Sequence, residues 1–129
     1  MPSIIRKSGP SILEVHRRIL HAVSWQVRSN IWSPPTDGYE TETAYVVRVE
    51  LAGMREDDFE VVLEDDTLIV SGVRPDFGER RAYHQMEIRF GKFVTAIHIP
   101  VPIAVEQAVA EYKDGFLTVT LPKEKTEEG

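Results

Sequence analysis

The chain has 129 residues, 28% of them charged and 42% hydrophobic, with a net charge of −6 and no cysteine. That length supports one domain with flanks around a single core, and the missing cysteine excludes a disulfide framework, thiolate chemistry and any cysteine-based zinc set. The amino end lacks a signal-peptide apolar core, and no stretch approaches the roughly 18 consecutive apolar residues of a membrane span, so the expectation is a soluble, cytoplasmic protein.

The first 31 residues form a basic arm. Arg6, Lys7, Arg17, Arg18 and Arg28 stand there against one acid, Glu14, which leaves the rest of the chain strongly acidic. An acidic body repels phosphate backbones, and the arm's cations lack the interleaved aromatics that base stacking uses, so nucleic acid is not an expected partner. Pro10 precedes Ser11-Ile-Leu-Glu14, which has capping-box spacing: the Ser hydroxyl and the Glu carboxylate each satisfy a free backbone N–H. Ile12, Ile19, Leu20, Val23 and Val27 then recur at helical spacing and predict an amphipathic helix from Ser11 to Arg28, with Leu13 and Trp25 as further apolar residues. Such a stripe packs on its own domain or on a neighbouring subunit, or else it also contacts unfolded polypeptide or a membrane surface.

At Ser33-Pro34-Pro35-Thr36-Asp37-Gly38 consecutive prolines end any helix and Asp-Gly favours a turn, which puts a domain boundary near Asn30. Beyond it the apolar period becomes two. Ala44–Leu51 reads as a strand rich in β-branched residues, and Phe59–Glu64 and Thr67–Gly72 as a hairpin around Asp65-Asp66. Gly91–Ile99 reads as a strand stopped by Pro100, and Val109–Lys113 and Phe116–Leu121 as a hairpin around Asp114-Gly115. About seven short strands between turn signals indicate an all-β sandwich. The organisation expected is an arm over 1–31, a domain over 32–123 and a charged tail over 124–129.

One stretch is anomalous. Arg74 to Arg81 is polar and loop-like, yet Ala82-Tyr-His-Gln-Met-Glu-Ile88 alternates again. A strand carried on so long a loop can pair with the open edge of another copy rather than with its own sheet.

Catalysis finds no residues to carry it. His16 and His21 are five apart, which suits neither spacing for one helical face, and Asp57-Asp58 and Glu64-Asp65-Asp66 sit in turns without the pattern of a calcium loop. There is no nucleophile elbow and no phosphate-cradling glycine loop. No metal and no cofactor is expected. His84 is the one histidine on the alternating loop segment, where a partly exposed surface side chain is the default reading.

Four segments, in order, resemble the α-crystallin domain of small heat-shock proteins of bacterial and plant type. They are Trp32-Ser-Pro-Pro-Thr-Asp-Gly-Tyr-Glu40, Val49-Glu-Leu-Ala-Gly-Met54, Glu87-Ile-Arg-Phe-Gly-Lys-Phe93 followed by Ile99-Pro100, and Ala110-x-x-x-Asp114-Gly115-x-Leu117. The likeness spans Trp32 to Lys123. It implies an immunoglobulin-like β-sandwich and an ATP-independent holdase that binds partly unfolded client proteins and keeps them from aggregating. It also implies a homodimer in which Ala82–Ile88, with Tyr83, His84, Gln85, Met86, Glu87 and Ile88, is exchanged onto the partner's early edge around Trp32, Tyr39 and Thr41. Ile88 stands where the family often has arginine, which removes a charge-paired dimer contact.

The family further has a groove between two edge strands; by alignment Phe59, Val61, Leu63 and Val109 would line it, and the same residues are also the period-two row of an ordinary sandwich core. Clients would be met by this groove and by the arm's Ile12, Leu13, Ile19, Leu20, Val23 and Trp25. Lys123–Gly129 contains no apolar anchor of the Ile/Val-x-Ile/Val kind, so dimers or small assemblies are expected. Two other readings remain on sequence grounds: a p23-like co-chaperone or adaptor, against which the loop-borne segment argues, and a membrane-surface stabiliser using the basic helix.

Overall fold

Seven antiparallel strands make two sheets in the computed structural model, which describes residues 31–76, 78 and 81–125. The first sheet has the order β1 (Thr36–Glu40), β2 (Ala44–Glu50), β7 (Phe116–Pro122), β6 (Val109–Lys113); the second is β3 (Phe59–Glu64), β4 (Thr67–Arg74), β5 (Gly91–His98). The predicted helix over Ser11–Arg28 and the end of the tail lie outside the described residues, and with them Ile12, Leu13, Ile19, Leu20, Val23 and Trp25.

The period-two pattern decides which face each strand buries. Tyr45, Val47, Val49 and Leu51 from the first sheet meet Phe59, Val61, Leu63, Leu68 and Val70 from the second, and Leu117, Val119 and Leu121 complete a core in which every one of these side chains is buried. Arg48, Glu50 and Glu60 alternate outward and are exposed. The six strands expected from alternation start where expected and end within two residues of the predicted bounds. The exception is β1, which its Asp-Gly-containing sequence, directly after Pro34-Pro35, conceals; only the resemblance pointed to an edge strand there.

Turn chemistry fixes the registers. Asp114 and Gly115 both have positive φ, 52° and 85°, the geometry of a two-residue hairpin whose twist suits the flanking strands. They set Lys113 opposite Phe116 and so bring Ala110 and Leu117 onto the buried face. In β4 a glycine is needed for another reason: a Cβ at Gly72 would overlap the carbonyl oxygen of Asp58, because the 3₁₀ turn Glu56–Asp58 crosses close above it.

Two connections cross between the sheets, and both are tied down. The β2–β3 link is held by Tyr112 of β6, whose hydroxyl donates to the Leu51 carbonyl (2.6 Å) and accepts from the Met54 N–H (3.3 Å). The Tyr112 ring meets Phe59 edge-on at 5.4 Å, so the edge strands β6 and β3 of opposite sheets are in contact. The β5–β6 link carries a short 3₁₀ turn, Val105–Gln107, and packs Val101, Ile103, Val105 and Ala108 against the core. Alternation gives no sign of this turn, since Val101, Ile103 and Val105 keep a period of two that runs straight into it.

Candidate functional site

β1 is an open edge. At one end of its ladder the Glu50 N–H donates to the Pro35 carbonyl (3.1 Å), and at the other the Thr41 N–H donates to the Ala44 carbonyl (2.8 Å). With the uninterrupted register between them, the bonded residues are Pro35, Asp37, Tyr39 and Thr41, and the backbone N–H and C=O groups of Thr36, Gly38 and Glu40 point away from β2. The side chains around that edge are held in place: the Thr36 and Thr95 hydroxyls are 2.8 Å apart, and Glu40 pairs with Lys123 at 2.7 Å. Tyr39 is exposed. The Thr41 hydroxyl accepts from the Ala44 N–H (3.0 Å), which makes Thr41 part of the β1–β2 turn rather than of the free edge.

The alternating segment Ala82–Ile88 forms no strand within the chain. All seven residues are exposed, Met86 and Ile88 at 57% and 66%, and none appears in a ladder with either sheet. An isolated extended segment has unpaired backbone groups on both sides, and strand geometry is stable only when a neighbour satisfies them. The Gln85 amide donates to the Glu87 carboxylate at 3.0 Å, and Arg81 donates to the Tyr83 hydroxyl at 2.7 Å, so the contacts of the segment are local.

Its foot, by contrast, is clamped. Arg74, the last residue of β4, donates through Nε to the Arg89 carbonyl (3.0 Å) and through Nη1 to the Ala52 carbonyl (3.1 Å), and its guanidinium lies 4.5 Å from the centre of the Trp32 ring. One planar, always-charged fork thus joins both ends of the loop to the β2–β3 link. Nothing in the sequence singles out this arginine, which reads there as part of a polar loop. Beside it Ile31, Val73, Pro75 and Phe90 line a mainly apolar cleft of about 520 Å³.

Trp32, expected at the dimer contact, belongs to the core. It is 4% exposed, packs on Phe93 with ring centres 5.6 Å apart, and donates through Nε1 to the Gly91 carbonyl (3.2 Å). The groove residues also divide. Phe59, Val61 and Leu63 point between the sheets and are buried, whereas Val109 lies on the outer face of β6, opposite in direction to Ala110, and is 45% exposed. The register puts Val109 in one row with Thr120, Val46 and Tyr39. The four therefore do not form a common wall: three are core residues, and the fourth shares a face with Tyr39.

An antiparallel sandwich of four and three strands, with a long loop between β4 and β5 and an Asp-Gly hairpin before the last strand, can be compared with known proteins. The profile of the Hsp20/alpha crystallin family matches residues 37–129. The chain belongs to that family. The small heat shock protein C4 of Rickettsia felis is 31% identical over 99 residues, covering 75% of this chain and 61% of that protein. The 16.9 kDa class I heat shock protein 1 of Triticum aestivum is 38% identical over 90 residues, 67% of this chain and 60% of that protein. Among solved structures, heat shock protein 16.0 from Schizosaccharomyces pombe superposes with a TM-score of 0.66 at 32% identity, over 75% of this chain and 94% of that one. This Hsp20 domain thus aligns with about three fifths of the length of the two curated relatives. No helix among its described residues is long and apolar enough to cross a membrane.

Proposed function

We propose that this Hsp20-family chain is an ATP-independent holdase that binds partly unfolded proteins and keeps them from aggregating, and that it works as a homodimer joined by strand exchange. The observation that carries the reading is a sandwich with an open β1 edge and a loop-borne, alternating segment that pairs with no strand among the described residues. Set against the free backbone groups of Thr36, Gly38 and Glu40 in a second copy, Ala82–Ile88 would complete the ladder on both sides of a twofold axis. The clamp by Arg74 supports this, because it holds the foot of the loop while leaving the segment itself exposed to solvent.

Client capture is hydrophobic in this account. Partly unfolded proteins expose apolar segments, and the arm's Ile12, Leu13, Ile19, Leu20, Val23 and Trp25 offer matching surface worth about 25 cal/mol per Å² buried. The acidic domain keeps the loaded complex in solution, and a cytoplasmic location goes with the same reading. No chemical step, metal or cofactor enters it. The test is light scattering from a heat-labile protein warmed with the chain in the absence of nucleotide. Suppression that saturates near stoichiometric ratios is expected, and undiminished aggregation at a large excess of the chain would overturn the proposal. Co-sedimentation with anionic vesicles, in the absence of client, separates it from a membrane-surface role.

A further inference from the structure

At the centre of the outer face of the second sheet three apolar side chains are closed to water, while Glu60, Val73, Lys92, Ala96 and His98 around them are exposed. Val62 of β3 and Ile69 of β4 are directly paired, Val94 of β5 lies one row away opposite Ser71, and all three point away from the core. They are nonetheless 5%, 2% and 3% exposed, as closed as the interior. On the first sheet the outward positions Asp37, Arg48 and Glu111 are exposed, and the outward apolar residues Ala44 and Val46 are 6% and 8% exposed. Among the described residues, the apolar side chain packed against Ile69 and Val94 is Ile31.

Ile31 is also where the arm joins the domain. The Trp32 N–H donates to the Lys92 carbonyl (3.1 Å) and the Trp32 carbonyl accepts from the Val94 N–H (3.0 Å), so the chain arrives along the free edge of β5 with Trp32 turned inward and Ile31 on the outer face. We infer that the amphipathic segment Ser11–Arg28 of the same chain docks across this face, covering Val62, Ile69 and Val94 with the stripe that would otherwise meet clients. The inference goes beyond the holdase reading: it says where that stripe is kept when no client is present.

Three features fit this occupant. The first is continuity, since the arm leaves Ile31 already seated on the face. The second is charge. The far side of the face carries Glu60 and Glu64 on the edge strand β3, and the arm brings Arg17, Arg18 and Arg28 on directions other than its stripe. The third is size. An 18-residue helix is about 27 Å long, and strands of 6 to 8 residues, three abreast, present a face roughly 20–26 Å by 10 Å. One helix is enough to cover it.

The absence of cysteine makes the test clean, because any introduced thiol is unique. Ser71→Cys is a near-isosteric change on the outer face between Glu60 and Val94; it is combined in turn with Ile19→Cys, Leu20→Cys and Val23→Cys, and the full-length chain is oxidised at low concentration. At least one pair should give an intrachain link, seen as a faster band on a non-reducing gel, with a yield that a large excess of cysteine-free chain does not lower. Absence of a link in all three pairs would overturn the inference, as would links found only between chains, which would assign the face to a partner's arm. Glu60→Lys, at an exposed position, should speed tryptic cleavage after Arg17 and Arg18 roughly three- to fivefold through lost attraction and added repulsion; an unchanged rate would count against docking. Neither readout involves client capture, so the arm's position and the holdase activity can fail separately.

Discussion

Proline placed along the exchange segment gives a position-dependent test of the dimer. In an antiparallel ladder only alternate residues turn their N–H toward the partner strand, so His84 and Met86 face one way and Gln85 the other. Proline at a facing position removes one donor from the ladder, a net loss of about 1–1.5 kcal/mol. A twofold dimer contains the exchange twice, which doubles the loss to about 2–3 kcal/mol and weakens association roughly 30- to 150-fold. At the opposite parity the N–H points to solvent and the dissociation constant should change only a few-fold. The fold itself should be indifferent, because Ala82–Ile88 is exposed and has no ladder partner in its own chain. Sedimentation equilibrium on His84→Pro, Gln85→Pro and Met86→Pro, with thermal melts as a control, measures both. The expected result is strong dissociation at Gln85 alone or at His84 and Met86 together. Equal association in all three variants would refute strand exchange, and equal weakening in all three would refute an alternating ladder at that segment.

Tyr112→Phe leaves the Leu51 carbonyl and the Met54 N–H without the phenol that joins them, so unfolding should become easier by about 1–2.5 kcal/mol. Urea denaturation should show a lower midpoint at constant slope, and an unchanged midpoint would mean that water replaces the hydroxyl without loss. Arg74→Ala removes two charged hydrogen bonds and a cation–π contact at a partly exposed site, worth together about 1–2 kcal/mol. Backbone hydrogen exchange should rise at the foot of the loop, near Arg89 to Gly91, and Arg74→Lys should not restore protection, since an ammonium cannot span the two carbonyls as the fork does; full rescue by lysine would reduce the clamp to a simple charge.

Alternation made most of the sandwich legible because each strand of the core buries one face against the other sheet, and burial on one face is what a period of two records. It failed where a different constraint rules. β1 is short, carries Gly38 and Glu40, and is held by pairing with β2, so its composition looks like a turn. Trp32 was placed by analogy at the dimer contact, but an aromatic beside the open edge of β5 gains more by filling the end of the core against Phe93. The four residues aligned to the groove divide for a different reason. Phe59, Val61 and Leu63 alternate as a groove wall or a core row equally well, and only the position of β3 over the other sheet decides that they are core. Val109 then falls on the wrong side of its strand, because Ala110 and Tyr112 take the inner positions. Arg74 left no trace in the pattern: its partners are backbone carbonyls 15 and 22 residues away, which no local spacing encodes.

If the chain is the holdase proposed above, what the domain leaves exposed limits where clients would bind. Its exposed large apolar residues are Tyr39, Val73, Tyr83, Met86, Ile88, Val109 and Phe116. Tyr83, Met86 and Ile88 lie on the segment that dimerisation would consume, and Phe116 sits under the Arg48 guanidinium at 4.4 Å. Tyr39 and Val109 stand at opposite ends of one outer row, and Val73 is at the foot of the loop. Apart from the cleft of Ile31, Val73, Pro75 and Phe90, these exposed apolar side chains are scattered, so in the proposed holdase the arm offers the larger capture surface. If the arm's stripe both docks on its own sheet and captures clients, two ways of undocking it must act in opposite directions. Glu60→Lys frees an intact stripe and should raise the rate at which a heat-labile protein is captured. Leu20→Asp with Val23→Asp frees a stripe that can no longer bind and should lower that rate, although both variants release the arm to trypsin alike. Deleting the arm would confuse these effects, because it removes the stripe and bares Val62, Ile69 and Val94 in the same step. Changes of the same sign in the two substitution variants would separate docking from capture and move client binding to the sheet face itself.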